Sequence, residues 1–485
     1  MKKRYKTPGV YIEEINIFPS SIIAAESAVP AFIGYTEKAE KSGKSLLNIP
    51  TRINSLLEFI ELFGGFYNPK FILKEAQSGD PEAFPFNGQM KKLELQEAQL
   101  SFLYSGICLF FQNGGQSCFI VSVGTYWGKD QIVIQKDALT TGLDLLEKEP
   151  KITLVIIPDS LALGGDSFYV FRAMLSHCAK MQNRFAILDV PNGFNALSPS
   201  MDPILNFREK IGTENLSYGA AYYPWLHTNI LSSENASFKN LDSNISLKSI
   251  LPEPSALSLL ESTPKPSDKI LHQSLVTISP TYALLMSKML EKLNLLPPAS
   301  ALAGIYQSID MIRGVWKAPA NVALNGVIQP AIKITQTDQE NLNIDATTGK
   351  SINAIRTFIG MGTLVWGART LAGNNLDWRY ISVKRTALMI QDSIGLALKA
   401  FVFEPNDANT WITVKSMVEN FLMDLWKNGA LMGNKPDQAF SVKIGLGETI
   451  TSQDILEKRM IMTVLLALVR PAEFIVISFS QKMES

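Results

Sequence analysis

At 485 residues the chain exceeds the usual span of one domain, and with 46% hydrophobic and 19% charged side chains its composition is that of a globular protein with two or three buried cores. Its 45 basic residues balance 45 acidic ones, which excludes the net field that draws a protein to nucleic acid or to an anionic membrane. Cys108, Cys118 and Cys178 lack the spacing of a disulfide framework or a zinc site and read as reduced, buried thiols.

The opening MKKRYKTPGV has basic residues with no apolar run behind them, so no secretory signal is expected and folding is expected in the cytoplasm. Residues 1–25 read as an extended arm. Pro8 and Gly9 suit the centre of a type II turn, and Val10, Tyr11 and Ile12 open a short β-prone run. From these residues alone the run fits a first strand inside its own domain as well as an arm that pairs with a neighbour. Residues 26–104 form the N-terminal part of the body.

Residues 105–345 read as a middle α/β domain. Continuous apolar runs at 119–123, 152–157, 185–190 and 218–223 suit strands covered on both faces, and residues 166–182 suit a helix between two of them. Within this domain the stretch 232–268 is rich in Ser, Asn and Pro and reads as an outward surface insertion, to about residue 272, with little core of its own.

Residues 346–470 carry two helical stripes: Ala387, Ile390, Ile394, Leu398 and Phe401, then Trp411, Val414, Val418, Phe421 and Leu425. Gly429 stands where a left-handed helix cap is expected, and Thr451 with Asp454 forms a capping-box pattern for a third helix. The apolar run 460–469 is too short to span a bilayer. The tail 471–485 reads as a terminal arm strand, with Phe474, Val476 and Ser478 on one face and Ile475, Ile477 and Phe479 on the other. An edge this apolar would template aggregation unless something paired it.

The chemistry-bearing patterns are few. Gly43-Lys44-Ser45 and Gly349-Lys350-Ser351 end like phosphate-binding loops, but the positions that need glycine hold Lys38 and Ile344. His177, His227 and His272 show no metal-ligand spacing, so no metal or cofactor is expected. Asp159 and Asp189 each follow an apolar strand, where α/β folds place ligands and catalytic acids. They carry the alternative reading, an α/β enzyme; an acid after a strand is more commonly a turn former or helix cap.

Several blocks also resemble one family. YKTPGVYIEE and VPAFIGY near the start, LPPASALAGIYQSIDMIRGVWKAPANVALNGVIQ at 296–329, and SINAIRTFIGMGTLVWGARTLAG, WRYISVKRT, FEPNDANTW, LWKNGALMG and VRPAEFIVISFSQ toward the end are similar, in the same order, to contractile tail sheath proteins. The likeness is strongest to sheaths of phage-tail-like extracellular contractile injection systems. It implies a mixed α/β fold in which a sheath-type C-terminal domain of helices on a sheet carries an inserted α/β middle domain and extended arms at both ends. It further implies a non-catalytic subunit that polymerises as a helical stack of hexameric rings, binds an inner tube, baseplate and terminal cap proteins, and contracts to drive the tube through a target envelope. Such particles assemble in the cytoplasm and are then released or anchored at the envelope, without direct membrane insertion; a phage tail or a type VI-like secretion system would use the same subunit. The implied sites are strand donation by Val10, Tyr11 and Ile12 and by Phe474, Ile475, Val476, Ile477 and Phe479, with tube contact near Lys458 and Arg459.

Overall fold

The structure is a computed structural model that describes residues 21–77, 79–80, 82–96, 100–128, 132–196 and 202–474. Val10, Tyr11, Ile12, Ile475, Val476, Ile477 and Phe479 lie outside the described residues. Two compact units emerge: residues 21–25 with Ala387–Val469, and Glu26–Thr386 with residues 470–474. The fold mixes helix and strand throughout.

The larger unit is organised by a nine-stranded sheet. Its strands in chain order are β1 (Pro30–Thr36), β2 (Thr51–Ile53), β3 (Cys118–Thr125), β4 (Leu154–Ile156), β5 (Phe185–Asp189), β6 (Gly219–Tyr223), β7 (Val322–Ala323), β8 (Asn353–Phe358) and β9 (Gly362–Trp366). Across the sheet they run β7-β9-β8-β6-β5-β4-β1-β3-β2. The six strands from β8 to β3 are mutually parallel, and antiparallel β9 and β2 flank them.

A parallel sheet needs crossover helices, and those helices cover both faces. On one face α2 (Lys136–Leu145) and α3 (Ser167–Met181) pack Leu139, Leu143, Phe171 and Met174 against Ile33, Val121 and Leu188. On the other, α1 (Leu103–Gln112) and α4 (Ala299–Arg313) pack Ile107, Phe110, Leu302 and Tyr306 against Phe32, Ile120 and Ile187. Side chains alternate across each strand, so adjacent residues such as Phe32 and Ile33 feed opposite cores. The apolar runs expected as strands are β3 to β6, and the helix expected at 166–182 is α3.

The segment 232–268 departs from expectation. It contributes Ala236, Leu241, Leu251 and Ala256 to a separate buried cluster with Phe71, Phe84, Phe86, Leu93, Tyr282, Leu285 and Met289. This satellite core packs a three-stranded sheet (Phe71–Glu75, Phe84–Phe86, Gln89–Leu95) with helices up to Pro280–Leu293. Its apolar residues are gathered from distant stretches of chain, so a window on 232–268 alone looks too polar to hold a core.

Where the chain enters this unit, a buried ionic knot holds it. Arg385 donates to both carboxylate oxygens of Asp310 at 3.0 and 2.6 Å and to the Ser27 carbonyl at 2.8 Å, while the Ser27 hydroxyl donates to Asp310 at 2.6 Å. Arg385 is 3% exposed and Asp310 6%. Removing one partner of such a pair leaves a buried charge uncompensated, which typically costs about 3–5 kcal/mol. Arg385→Met is therefore expected to lower the urea-unfolding free energy of this unit by that order, and a loss below about 1 kcal/mol would contradict the assignment.

The smaller unit holds the helical stripes. α5 (Ile381–Leu398) enters it from the larger unit, and α6 (Ala408–Lys427) buries Val414, Val418, Phe421 and Leu425 as their spacing predicts. Asp407 caps α6 by accepting the Thr410 N–H at 3.0 Å, and Gly429 follows it at φ +82°, the left-handed conformation expected there. In the same unit Ser393 of α5 accepts the Ala25 N–H at 2.9 Å.

Candidate assembly site

The smaller unit contains a two-stranded sheet. β10 (Phe440–Lys443) and β11 (Thr463–Leu466) form an antiparallel pair from Phe440 opposite Leu466 to Lys443 opposite Thr463. Among the described residues neither strand has a second neighbour. The Ala467 N–H bonds the Ala439 carbonyl at 2.8 Å. The alternation of an antiparallel ladder therefore turns the N–H and C=O groups of Val442, Val464 and Leu466 toward the two outer edges, while the Phe440 N–H is already taken by the Pro436 carbonyl. A two-stranded sheet is marginal alone, and this one offers two short templates for added strands. Leu465 is 56% exposed beside them.

The connection between these strands contains α7 (Ser452–Leu456), whose capping box forms as its sequence predicts. Thr451 Oγ1 accepts the Asp454 N–H at 3.2 Å, and Asp454 accepts the Thr451 N–H at 3.0 Å and its hydroxyl at 2.6 Å. Those bonds, with Arg459 beside them, hold the Asp454 carboxyl below its ordinary pKa. Arg459 pairs with Asp454 and Glu457, both at 2.7 Å. Lys458 is exposed and adopts φ +60°. The structure thus sets Lys458 and Arg459 side by side at the end of a short capped helix, with the Arg459 charge already shared with two acids.

In the larger unit the chain leaves the described residues at Phe474, which is 70% exposed. Phe474 lines a cleft of about 680 Å³ with Phe358, Trp366, Tyr380 and Pro471. Immediately before it, Glu473 accepts hydrogen bonds from Arg369 Nε at 2.9 Å, Arg369 Nη2 at 2.6 Å, Asn343 Nδ2 at 2.8 Å and Tyr380 Oη at 3.1 Å. Burial raises its pKa, but these donors and the Arg369 charge outweigh burial and leave it below the ordinary value. This clasp was not expected from the sequence, where Glu473 is one polar residue at the head of an apolar tail.

The two acids that carried the enzymatic alternative are brought to structural positions. Asp159 is fully buried behind β4 and accepts from the Tyr35, Phe102 and Leu103 N–H groups at 2.7, 2.7 and 3.1 Å and from Ser101 Oγ at 3.2 Å. It joins the end of β1 to the start of α1. Burial pushes its pKa up to about 6 against those four donors. Asp189 ends β5 and accepts the Ala299 N–H at the start of α4 at 2.7 Å; burial pushes its pKa to about 8. Lys44 lies in a small exposed hairpin, and Lys350 is buried with its ammonium on the Arg208 carbonyl. All three cysteines are buried, and among the described residues no group of acids, His and Cys is placed to hold a metal.

A folded pKa near 8 means that folded Asp189 keeps a proton the unfolded chain has already lost. Its contribution to stability is complete in acid and declines as pH rises through about 8. Asp189→Asn should therefore gain melting temperature relative to the parent as pH is raised from about 5 to about 9, in thermal scans of both proteins. A difference that stays constant with pH would show that Asp189 does not titrate in this way.

A family model described as phage tail sheath C-terminal domain matches residues 374–482, a span that includes α5, α6 and the β10–β11 pair. Curated relatives include the tail sheath proteins of Burkholderia phage BcepMu, 28% identical over 144 residues, and Vibrio phage KVP40, 25% identical over 166. Those matches take in 29% and 32% of this chain and 30% and 24% of the relatives' own length. Solved structures match end to end. The sheath complex of an extracellular contractile injection system, PVC, in the contracted state is 27% identical with TM-score 0.64, covering 99% of both chains. The contracted helical sheath of the anti-feeding prophage is 29% identical with TM-score 0.62, covering 99% of this chain and all of that one. A baseplate structure of the anti-feeding prophage in the contracted state is 26% identical with TM-score 0.65.

Proposed function

We infer, from its likeness to contractile tail sheath proteins, that this chain is the structural subunit of a contractile sheath, most like those of extracellular contractile injection systems. The observation that carries the reading is the end-to-end likeness to contracted sheaths, at 27% and 29% identity over 99% of this chain. Among the described residues no helix is long and apolar enough to cross a membrane. In this reading subunits stack as hexameric rings around an inner tube, meet a baseplate at one end and a cap at the other, and contract to drive the tube through an envelope. We assign the chain no catalytic step, because the acids that suggested one are engaged with backbone donors inside the body.

A sheath must change its subunit packing without coming apart. Extended strands can keep their backbone pairing while the bodies they join rotate, a use of β-augmentation. The donated strands are those containing Val10, Tyr11 and Ile12, and Phe474, Ile475, Val476, Ile477 and Phe479. The edges of β10 and β11 are the acceptors that the geometry of the smaller unit supports. Each backbone hydrogen bond adds about 1 kcal/mol net, so strands of a few residues hold when repeated through a lattice. The work of contraction comes from burial: about 200 Å² of added apolar contact per subunit releases about 5 kcal/mol before interface costs.

Val464→Pro tests the acceptor role, because it removes an outward N–H while proline is tolerated on an edge. Negative-stain microscopy of the purified full-length chain is expected to show hollow cylinders for the parent and dispersed, folded subunits for Val464→Pro. Cylinders from both would remove β11 as an acceptor.

Lys458 and Arg459 are the proposed tube contact. Charge reversal at Lys458, which leaves the Arg459 pairing with Asp454 intact, should weaken retention of the inner tube in co-assembly pull-downs several-fold. Unchanged retention in both Lys458→Glu and Lys458→Glu/Arg459→Glu would overturn the assignment.

A further inference from the structure

The Glu473 clasp lies where the proposed C-terminal arm begins. Pro471 and Ala472 precede it, and Phe474 is the next residue out. Four donor bonds from three side chains converge on this one carboxylate. Its chief partner, Arg369, is 4% exposed and is itself built into the sheet. The Arg369 N–H donates to Asn353 Oδ1 at 2.8 Å, and Asn353 Nδ2 donates to the Arg369 carbonyl at 2.8 Å and to the Ala221 carbonyl at 3.2 Å. Asn353 opens β8 and Ala221 lies in β6. A continuous run of hydrogen bonds therefore links the root of the arm to the parallel sheet.

We propose that Glu473 is a positioning residue that roots the C-terminal arm in the body, so that tension on the arm is delivered through Arg369 and Asn353 to the nine-stranded sheet. This rests on the strand-donation reading above. Covalent connection alone would transmit tension along the chain into residues 470–472 and back toward β11, pulling on the very pair of strands that has to hold a neighbour. A charge-assisted, bidentate contact resists such displacement better than apolar packing, because its geometry is directional. The clasp holds the chain to the body at Glu473, directly before the residues proposed to serve a partner.

The test uses the full-length protein carrying Glu473→Ala, the near-isosteric Glu473→Gln, or Glu473→Asp, which keeps the charge. First, a dye on Ser480→Cys reports arm motion by time-resolved anisotropy in dispersed subunits; the native cysteines are buried. Loss of the clasp should raise the amplitude of fast local motion about two-fold in the Ala and Gln variants, with Asp between them and the parent. Unchanged anisotropy in both variants overturns the rooting. Second, the fraction of subunits recovered in cylinders by microscopy should fall at least five-fold for Ala and Gln at a temperature where circular dichroism shows both variants still folded, since loss of the partner of buried Arg369 also lowers the melting temperature. Equal recovery overturns the load-bearing role. If the parent itself forms no cylinders, the sheath reading fails, whereas the anisotropy result still decides the clasp. If Glu473→Ala fails to fold, Glu473→Gln decides in its place.

Discussion

A strand edge carries N–H and C=O groups that must find partners, and in the smaller unit two such edges are left on one short pair of strands. β10 and β11 hold each other through four residue pairs, which is little for a sheet standing alone. An apolar terminal run such as 475–479 poses the complementary problem, because it needs an edge to pair with. In the proposed reading copies of the chain exchange these strands, and that exchange extends them into a lattice.

The larger unit answers a different demand, rigidity. Its parallel strands are covered on both faces, and several polar groups inside it are tied to specific backbone atoms. Asp159 fixes the end of β1 against α1, Asp189 fixes β5 against α4, and Arg385 with Asp310 holds the chain at Ser27. Buried polar groups of this kind add less to stability than apolar replacements often would. They define one arrangement, which is what a repeated mechanical part requires.

The sequence disclosed these features unevenly. Strands β3 to β6 were legible because burial on both faces writes a continuous apolar run. α5 and α6 were legible because one buried face writes a helical period, with Gly429 marking the end of α6 and Thr451 with Asp454 the start of α7. Strands β8 and β9 showed in the sequence only as part of a family resemblance, since β8 reaches the sheet by pairing with β6, more than a hundred residues upstream. The satellite core escaped because its residues are shared among stretches near 70–95 and 231–293, none apolar enough alone. Asp159 and Asp189 were placed correctly after strands, but their roles depend on which N–H groups the tertiary fold brings to them. The Glu473 clasp had no local signature at all, as Arg369 lies 104 residues away.

The most direct measurement is a cryo-electron microscopy reconstruction of the cylinders formed by the full-length chain, at a resolution that traces strands. The account predicts that the outer edges of β10 and β11 are each paired with a strand from a neighbouring subunit, one from residues near Val10 and one from residues beyond Phe474. Cylinders in which this sheet remains two-stranded, with the terminal segments folded back on their own subunit, would contradict it.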